Sequence, residues 1–138
     1  ILPEVPELSA LVLSQFKEKG REDGYLRTEE IAKMEIRADL VNLSAFDTGL
    51  GGIYDDDGFA RLIHSFVLAG VKAVSVSLWR VPGESTSQFM AAMYGLVQDK
   101  GMSYLDATTE VKRQFLNGDF GEEYKAPYYW APFVYYGN

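Results

Sequence analysis

The stretch that most constrains this chain runs from Asp39 to Gly52 and reads DLVNLSAFDTGLGG. It begins with apolar residues typical of a buried strand, then breaks into small and polar residues and ends among glycines. A buried strand that opens into a glycine-rich loop indicates the carboxyl edge of a parallel sheet, where open α/β proteins place their binding sites. The stretch therefore predicts an α/β fold with its candidate site in this loop.

The residues before this stretch predict a hairpin and a short helix. A strand over 9–14 precedes a polar turn, and Tyr25 with Leu26 is expected to pair back on that strand. Thr28 is a favoured N-cap residue, so we expect a helix from Thr28 to about Met34.

The residues after it predict a βαβ unit, two further helices and a terminal strand. Strands at 40–44 and 71–78, joined by a helix over about 58–69, should run parallel in a right-handed unit. Pro132 cannot donate to a sheet, which favours an edge position for the last strand, or pairing only after Pro132. The later elements are a helix at about 84–99 that Gly101 ends, a helix at about 103–116 that Ser103 can cap and Gly118 ends, a loop at 121–127 and a strand at 130–136. The helical positions predicted to face the core are Phe59, Leu62, Ile63, Phe66, Val67, Phe89, Met93, Leu96, Val97, Leu105, Thr108, Val111, Phe115 and Leu116.

Composition excludes several classes of function. With 138 residues, 47% of them hydrophobic, the chain is long enough for one domain with a real core. Its net charge is −7 and no cluster of basic and aromatic residues occurs, so we expect no nucleic-acid binding. It has no cysteine, which excludes disulfides and thiolate metal sites and fits a cytoplasmic protein. No apolar run has the length of a membrane span, so we expect no membrane partner.

Several motifs, in order, resemble the CHAT peptidases, caspase-like domains that often accompany tetratricopeptide repeats. In that family an apolar strand is followed by Ser-Ala-Cys-acidic-Thr-Gly, and residues 44–49 here read Ser-Ala-Phe-Asp-Thr-Gly. The other similar segments are GYLRTEEI at 24–31, RADLV at 37–41, VSVSLW at 74–79 and PYYWAPF at 127–133.

The resemblance implies a caspase-haemoglobinase-like α/β fold, with a mostly parallel sheet flanked by helices, and cysteine endopeptidase chemistry from a His-Cys dyad. Phe46 occupies the nucleophile position and has no nucleophilic atom. The family's histidine lies in an upstream His-Gly motif, which this chain lacks. We therefore interpret residues 1–138 as a single CHAT-like domain, the C-terminal portion without the upstream strand. His64 falls on a helix, and we do not assign it the dyad role.

The candidate substrate-pocket residues are Ser44, Asp47, Thr48, Ser77 and Trp79. Asp47 could pair with a basic side chain of a peptide, as acidic pockets of the related separases select arginine, or it could cap the loop. Trp79 ends a strand at the same sheet edge and could wall a groove or pack in the core.

Two further patterns have simpler explanations than a ligand site. The acidic run Asp55 to Asp57 could bind a metal or a basic partner, but such a run more often precedes a helix, with Asp57 as the cap. Gly49, Gly51 and Gly52 lack the frame of a phosphate-binding loop. We expect neither a metal nor a cofactor.

The sequence thus favours an inactive remnant of a cysteine endopeptidase that acts in protein binding or scaffolding. Its expected partner is a protein or peptide with basic residues, and the resemblance implies tetratricopeptide repeats in the parent chain. We expect Phe46 to fill the catalytic cleft near Trp79. The alternative is a fragment of an active endopeptidase whose complete form carries the dyad and cleaves a partner after a basic residue. A third reading is an interaction module that uses the aromatic tail, residues 128–136.

Overall fold

The computed structural model describes residues 10–13, 24–43 and 56–137. Short strands and longer helices alternate along them, so the fold is mixed α/β with small sheets flanked by helices, as the sequence predicts. In chain order the elements are β1 (Ala10–Val12), β2 (Tyr25–Arg27), α1 (Thr28–Ala32), β3 (Val41–Leu43), α2 (Asp56–Leu68), β4 (Ala73–Ser77), α3 (Gly83–Lys100), α4 (Tyr104–Asn117), two 3₁₀ helices (Glu122–Lys125 and Pro127–Tyr129) and β5 (Phe133–Gly137).

The first two strands form an antiparallel pair. Ala10 lies opposite Arg27 and Val12 opposite Tyr25, and the N–H of Leu13 donates to the Gly24 carbonyl at 2.8 Å. The predicted hairpin is confirmed.

The strands β3 and β4 are neighbours in a second sheet of order β3-β4-β5. Just before them, the N–H of Ile36 donates to the Ala69 carbonyl at 2.7 Å and the N–H of Lys72 donates to the Ala38 carbonyl at 3.1 Å. Both partners advance along the chain in the same direction, so the segments leading into β3 and β4 run parallel. This is the direction that the predicted βαβ unit requires.

The last strand lies at one edge of this sheet. It begins at Phe133, directly after Pro132, whose carbonyl accepts from the N–H of Leu78 at 3.0 Å. Proline has no N–H to give to a ladder, so Pro132 pairs with Leu78 through its carbonyl alone. The predicted edge position is confirmed, whereas its alternative, pairing only after Pro132, is not.

The chain divides into two compact units. The first holds β1, β2, α1 and α2, and the second holds α3, α4, the 3₁₀ helices and β5. The division falls after Val41 and after Val74, within β3 and β4.

In the first unit, α1 and α2 pack together around buried apolar side chains that include Ile31, Leu62 and Phe66. Val67, predicted to face the core, is 47% exposed, because it lies beyond the edge of the apolar stripe.

The prediction that Thr28 caps α1 is also wrong. Thr28 is the first residue of α1, and the preceding Arg27 holds the cap position, where its N–H donates to Glu30 at 2.8 Å.

The helix α2 begins at Asp56, so Asp57 lies within the helix and not at the predicted position before it. It ends at Leu68, and Gly70 follows with a φ of +99°. Within the described residues, no helix is long and apolar enough to cross a membrane.

In the second unit, α3 and α4 pack together and bury an aromatic cluster. Phe89 on α3 stacks on Phe133 of β5 with ring centroids 4.3 Å apart, and its ring lies 5.7 Å from that of Phe115 on α4. All three side chains are essentially excluded from solvent. Leu105 and Leu116, predicted to face the core, are instead about half exposed on the outer side of α4.

The ends of these two helices follow the predicted signals. Gly101 ends α3 with a φ of +65° and Gly118 ends α4 with a φ of +89°, a backbone region that favours glycine. The hydroxyl of Ser103 accepts from the N–H of Asp106 at 3.1 Å and so caps α4, as predicted.

Candidate functional site

The predicted site residues divide between described and undescribed parts of the chain. Ser44, Phe46, Asp47 and Thr48 lie outside the described residues, and so does the expected packing of Phe46 near Trp79. Ser77 and Trp79, at the carboxyl end of β4, are described. The candidate site is therefore built from this end of the strand and its neighbours in the second unit.

Trp79 is held by hydrogen bonds that connect it to the first turn of the second 3₁₀ helix. Its indole Nε1 donates to the Tyr128 carbonyl at 3.0 Å, and the Tyr128 hydroxyl donates to the Arg80 carbonyl at 3.0 Å. Tyr128 thus accepts from Trp79 and donates to the next residue, Arg80, although 49 positions separate it from Trp79. We call Trp79 and Tyr128 the Trp79–Tyr128 pair.

The rings of this pair remain accessible to solvent. Trp79 is 36% exposed and Tyr128 is 51% exposed, and Leu78 beside them is 42% exposed. Buried aromatic rings contribute most to core stability, whereas these rings are ordered by their polar groups and leave apolar area open to a partner. This combination of fixed position and open apolar area is typical of a binding surface.

Ser77 holds the backbone at Trp79 in place. Its side chain is buried, and its hydroxyl donates to the Trp79 carbonyl at 2.6 Å. The hydroxyl is thus engaged in fixing the backbone at Trp79, and the residue lies under the surface rather than on it. Ser77 therefore fixes the backbone that carries the Trp79 ring.

A chain of ring contacts links the Trp79–Tyr128 pair to the core. Tyr128 contacts Tyr129 edge-on at 5.3 Å, Tyr129 contacts Tyr124 at 5.2 Å, and Tyr124 contacts the buried Phe115 at 6.4 Å. Each edge-to-face contact favours one relative orientation of two rings. The surface pair is therefore anchored in the packing of the second unit.

Two charged residues, Arg80 and Glu84, lie beside the pair and the tyrosines that anchor it. Arg80 is exposed, and no described carboxylate forms an ion pair with it. Burial raises the pKa of Tyr124, and the neighbouring Glu84 carboxylate raises it further, so this phenol stays neutral over the physiological range.

Asn42 on β3 is a polar residue that the sequence reading did not single out. Its Nδ2 lies 3.1 Å from Met90 Sδ and 3.5 Å from the Tyr94 hydroxyl, both on α3. Its Oδ1 is buried and has no hydrogen-bond partner among the described residues. The opposite amide orientation would turn Oδ1 toward the Tyr94 hydroxyl, which can donate. In the sequence, Asn42 could have been noticed as a polar residue inside an apolar strand.

Neither the histidine nor the acidic residues form a catalytic or metal cluster in the described part of the chain. His64 is exposed on α2 in the first unit, while Trp79 belongs to the second. No group of three or more His, Asp or Glu side chains there could hold a metal ion.

A mixed α/β fold with small sheets flanked by helices, and a strand ending in Ser-Leu-Trp at the sheet edge, is consistent with part of a caspase-like domain. The sequence model of the CHAT domain family matches residues 1–138, the whole chain. The chain therefore belongs to the CHAT domain family, a family of caspase-like peptidases. No curated protein sequence gives a significant match.

Proposed function

We propose that this CHAT domain has lost its peptidase chemistry and acts as a binding or scaffolding domain for a protein or peptide. Phenylalanine at position 46, where the family motif has cysteine, offers no atom that can attack a carbonyl. The family's His-Gly motif is also absent from these residues. A peptide held at this surface would be retained without being cleaved.

The observation that carries the binding role is the Trp79–Tyr128 pair. One hydrogen bond of 3.0 Å joins Trp79 to Tyr128 and a second of 3.0 Å joins Tyr128 to Arg80, while both rings stay open to solvent. A side chain that is already ordered loses little conformational entropy when a partner covers it. Trp and Tyr are also the residue types that most often dominate the free energy of protein association.

The charge preference of the surface has two competing determinants. Asp47, next to the nucleophile position, leads us to propose a preference for basic peptides. The guanidinium of Arg80, which pairs with no described carboxylate and follows Trp79 in the chain, favours a carboxylate instead. Peptides of opposite charge separate these two contributions.

The test is a binding titration with three fluorescein-labelled peptides that differ only in a central Arg, Glu or Gln. We expect Trp79→Ala to weaken binding by about five- to thirtyfold, as for a hot-spot residue. Tyr128→Phe keeps the ring but removes the bond to the Arg80 carbonyl, so it should cost roughly two- to fivefold. Tyr136→Ala, which removes an exposed tyrosine from β5, is the matched control and should change nothing.

The charge variants complete the titration. If Asp47 sets the preference, the Arg peptide binds best and Asp47→Ala removes its advantage. If Arg80 sets it, the Glu peptide binds best and Arg80→Gln removes that advantage. Binding that Trp79→Ala leaves unchanged would refute the proposed surface.

The alternative function is an active endopeptidase whose complete form supplies the dyad and cleaves a partner after a basic residue. It shares the peptide-binding surface but needs cysteine at position 46 and a histidine from outside residues 1–138. The two functions differ in whether bound peptide is cut, so mass spectrometry of the peptides after the titration distinguishes them.

A further inference from the structure

The first unit contains an open groove between α1 and α2 that the proposed peptide surface does not use. Its volume is about 250 Å³. One wall comes from α1, with Thr28, Glu29 and Ala32, and the other comes from α2. Pockets for whole small molecules are usually about 300–1,000 Å³, so this groove has room for one or two side chains of a partner.

The α2 wall carries basic groups at one end and an apolar group at the other. Arg61 and His64 are exposed and one helical turn apart, and Leu68, 60% exposed, follows one turn later. The spacing of three and then four positions places all three on one face of the helix. Ser65 also lines the groove, but its hydroxyl donates to the Leu62 carbonyl at 2.7 Å and is not free.

The basic groups have no anionic partner in the described part of the chain. The ion pairs there join Arg27 to Glu30, Lys72 to Asp39, Arg113 to Glu110 and Lys125 to Glu122. Arg61 is in none of them, although the chain as a whole has a net charge of −7. Glu29 lines the same groove, but it forms no ion pair with Arg61 or with any other described residue.

We propose that this groove binds an acidic peptide segment of a partner protein, with the sequence Glu-x-Leu or Asp-x-Leu. The carboxylate pairs with the Arg61 guanidinium, which can form two parallel hydrogen bonds, and accepts a further bond from His64. The aliphatic side chain covers Leu68 and Ala32. Thr28 offers a hydroxyl at the opposite wall.

The spacing of the motif follows from the helix geometry. The midpoint of Arg61 and His64 lies about five to six residues before Leu68, which is roughly 8 Å along the axis at 1.5 Å per residue. Two residues of an extended peptide span roughly 7 Å and point to the same side. A carboxylate and an aliphatic residue two positions apart therefore match the two ends of the wall.

The experiment follows amide chemical shifts of the 138-residue chain during titration with the peptide Ser-Gly-Glu-Ser-Leu-Ser-Gly. Two control peptides replace its Glu by Gln or its Leu by Ser. We expect each replacement to weaken binding about fivefold, the upper range for one exposed ion pair or one partly covered leucine. Shifts should concentrate on 28–32 and 61–68.

Protein variants test the same contacts from the other side. Arg61→Gln should weaken binding of the Glu peptide about fivefold and leave the Gln peptide unchanged. Glu29→Gln removes a like charge and should strengthen it about twofold. Arg113→Gln, an exposed arginine of the second unit, is the matched control. All three positions are exposed, so the fold should survive each change.

The outcome is independent of the proposed peptide surface, because Trp79→Ala leaves this groove intact. Equal affinity for the Glu and Gln peptides, or an Arg61→Gln variant that binds as tightly as the original chain, would overturn the inference. Loss of binding in Trp79→Ala with retention in Arg61→Gln would assign the peptide to the other surface and equally refute it.

Discussion

Replacing Phe89 tests whether the aromatic cluster of the second unit holds the candidate surface in place. Phe89 is 1% exposed and stacks on Phe133 at 4.3 Å, so its ring is enclosed on all sides. Truncation to alanine would cost about 3–5 kcal/mol, a large part of the 5–15 kcal/mol typical of a domain. Phe89→Leu keeps an apolar side chain and should cost about 1–2 kcal/mol, which leaves the protein folded and measurable.

The two tryptophans make the assay specific for this unit. Trp79 and Trp130 both belong to the second unit, so their fluorescence during urea unfolding follows that unit alone. With an m-value of about 1–3 kcal/mol/M, Phe89→Leu should lower the urea midpoint by roughly 0.5–1 M. Leu116→Ala, on the exposed side of α4, is the control and should change the free energy of unfolding by less than about 1 kcal/mol.

A double-mutant cycle isolates the stacking itself. Phe89→Leu and Phe133→Leu should be coupled by about 0.5–1.5 kcal/mol, because each single change already removes the ring–ring contact. Strictly additive free energies would show that the two rings contribute only through burial. A Phe89→Leu variant as stable as the original chain would refute the packing described here.

Three other predictions concern a helix cap, a phenol and the lost nucleophile. Ser103→Ala should destabilise α4 by about 1 kcal/mol, measured by urea unfolding, with Ser87→Ala at an exposed site of α3 as control. Tyr124, whose pKa is raised by burial and then by Glu84, should ionise above the ordinary value of about 10. Its neutral form therefore stabilises the fold below that pH, and this stabilisation is lost as the pH rises through the pKa of the folded protein. Near-ultraviolet titration of the Glu84→Gln variant should show Tyr124 ionising at lower pH. Phe46→Cys in this chain should show no peptidase activity, because a thiol with a pKa of about 8.5 is mostly protonated at neutral pH without a base beside it; turnover of peptide that His64→Ala abolishes would contradict this.

The sequence predicts elements best where a local signal marks both ends. The helices α3 and α4 are bounded by Gly101, Ser103 and Gly118, and the structure places each at the expected boundary. These signals work because a positive φ or an unsatisfied N–H is decided by one or two neighbouring residues. The hairpin of β1 and β2 is confirmed for the same local reason.

Predictions that depend on tertiary packing were less successful. Val67, Leu105 and Leu116 have the right residue type for a core but lie just outside the stripe that each helix buries. The loop expected over 121–127 contains a 3₁₀ helix, and the strand expected from Trp130 begins three residues later. Neither boundary has a capping residue that would have marked it.

In the candidate site too, local position was predictable from the sequence and the tertiary contact was not. The sequence places Trp79 at the end of a strand, and in the structure Trp79 follows the last residue of β4, Ser77, by two positions. Its partner was not predictable, because Tyr128 lies 49 positions away and is one of many tyrosines near the C-terminus. Only the folded backbone brings the Tyr128 carbonyl to the indole N–H.

In the proposed function, the loss of the nucleophile and the retention of a binding surface are physically compatible. A cysteine contributes its chemistry through one sulfur atom, whereas the Trp79–Tyr128 pair is held by bonds to the Tyr128 and Arg80 carbonyls and supported by Ser77. None of these bonds uses the side chain at position 46. Under the proposed function, replacing the nucleophile removes bond cleavage and leaves the Trp79–Tyr128 pair in place, so that a peptide that an active relative would cut becomes a ligand that is held without cleavage.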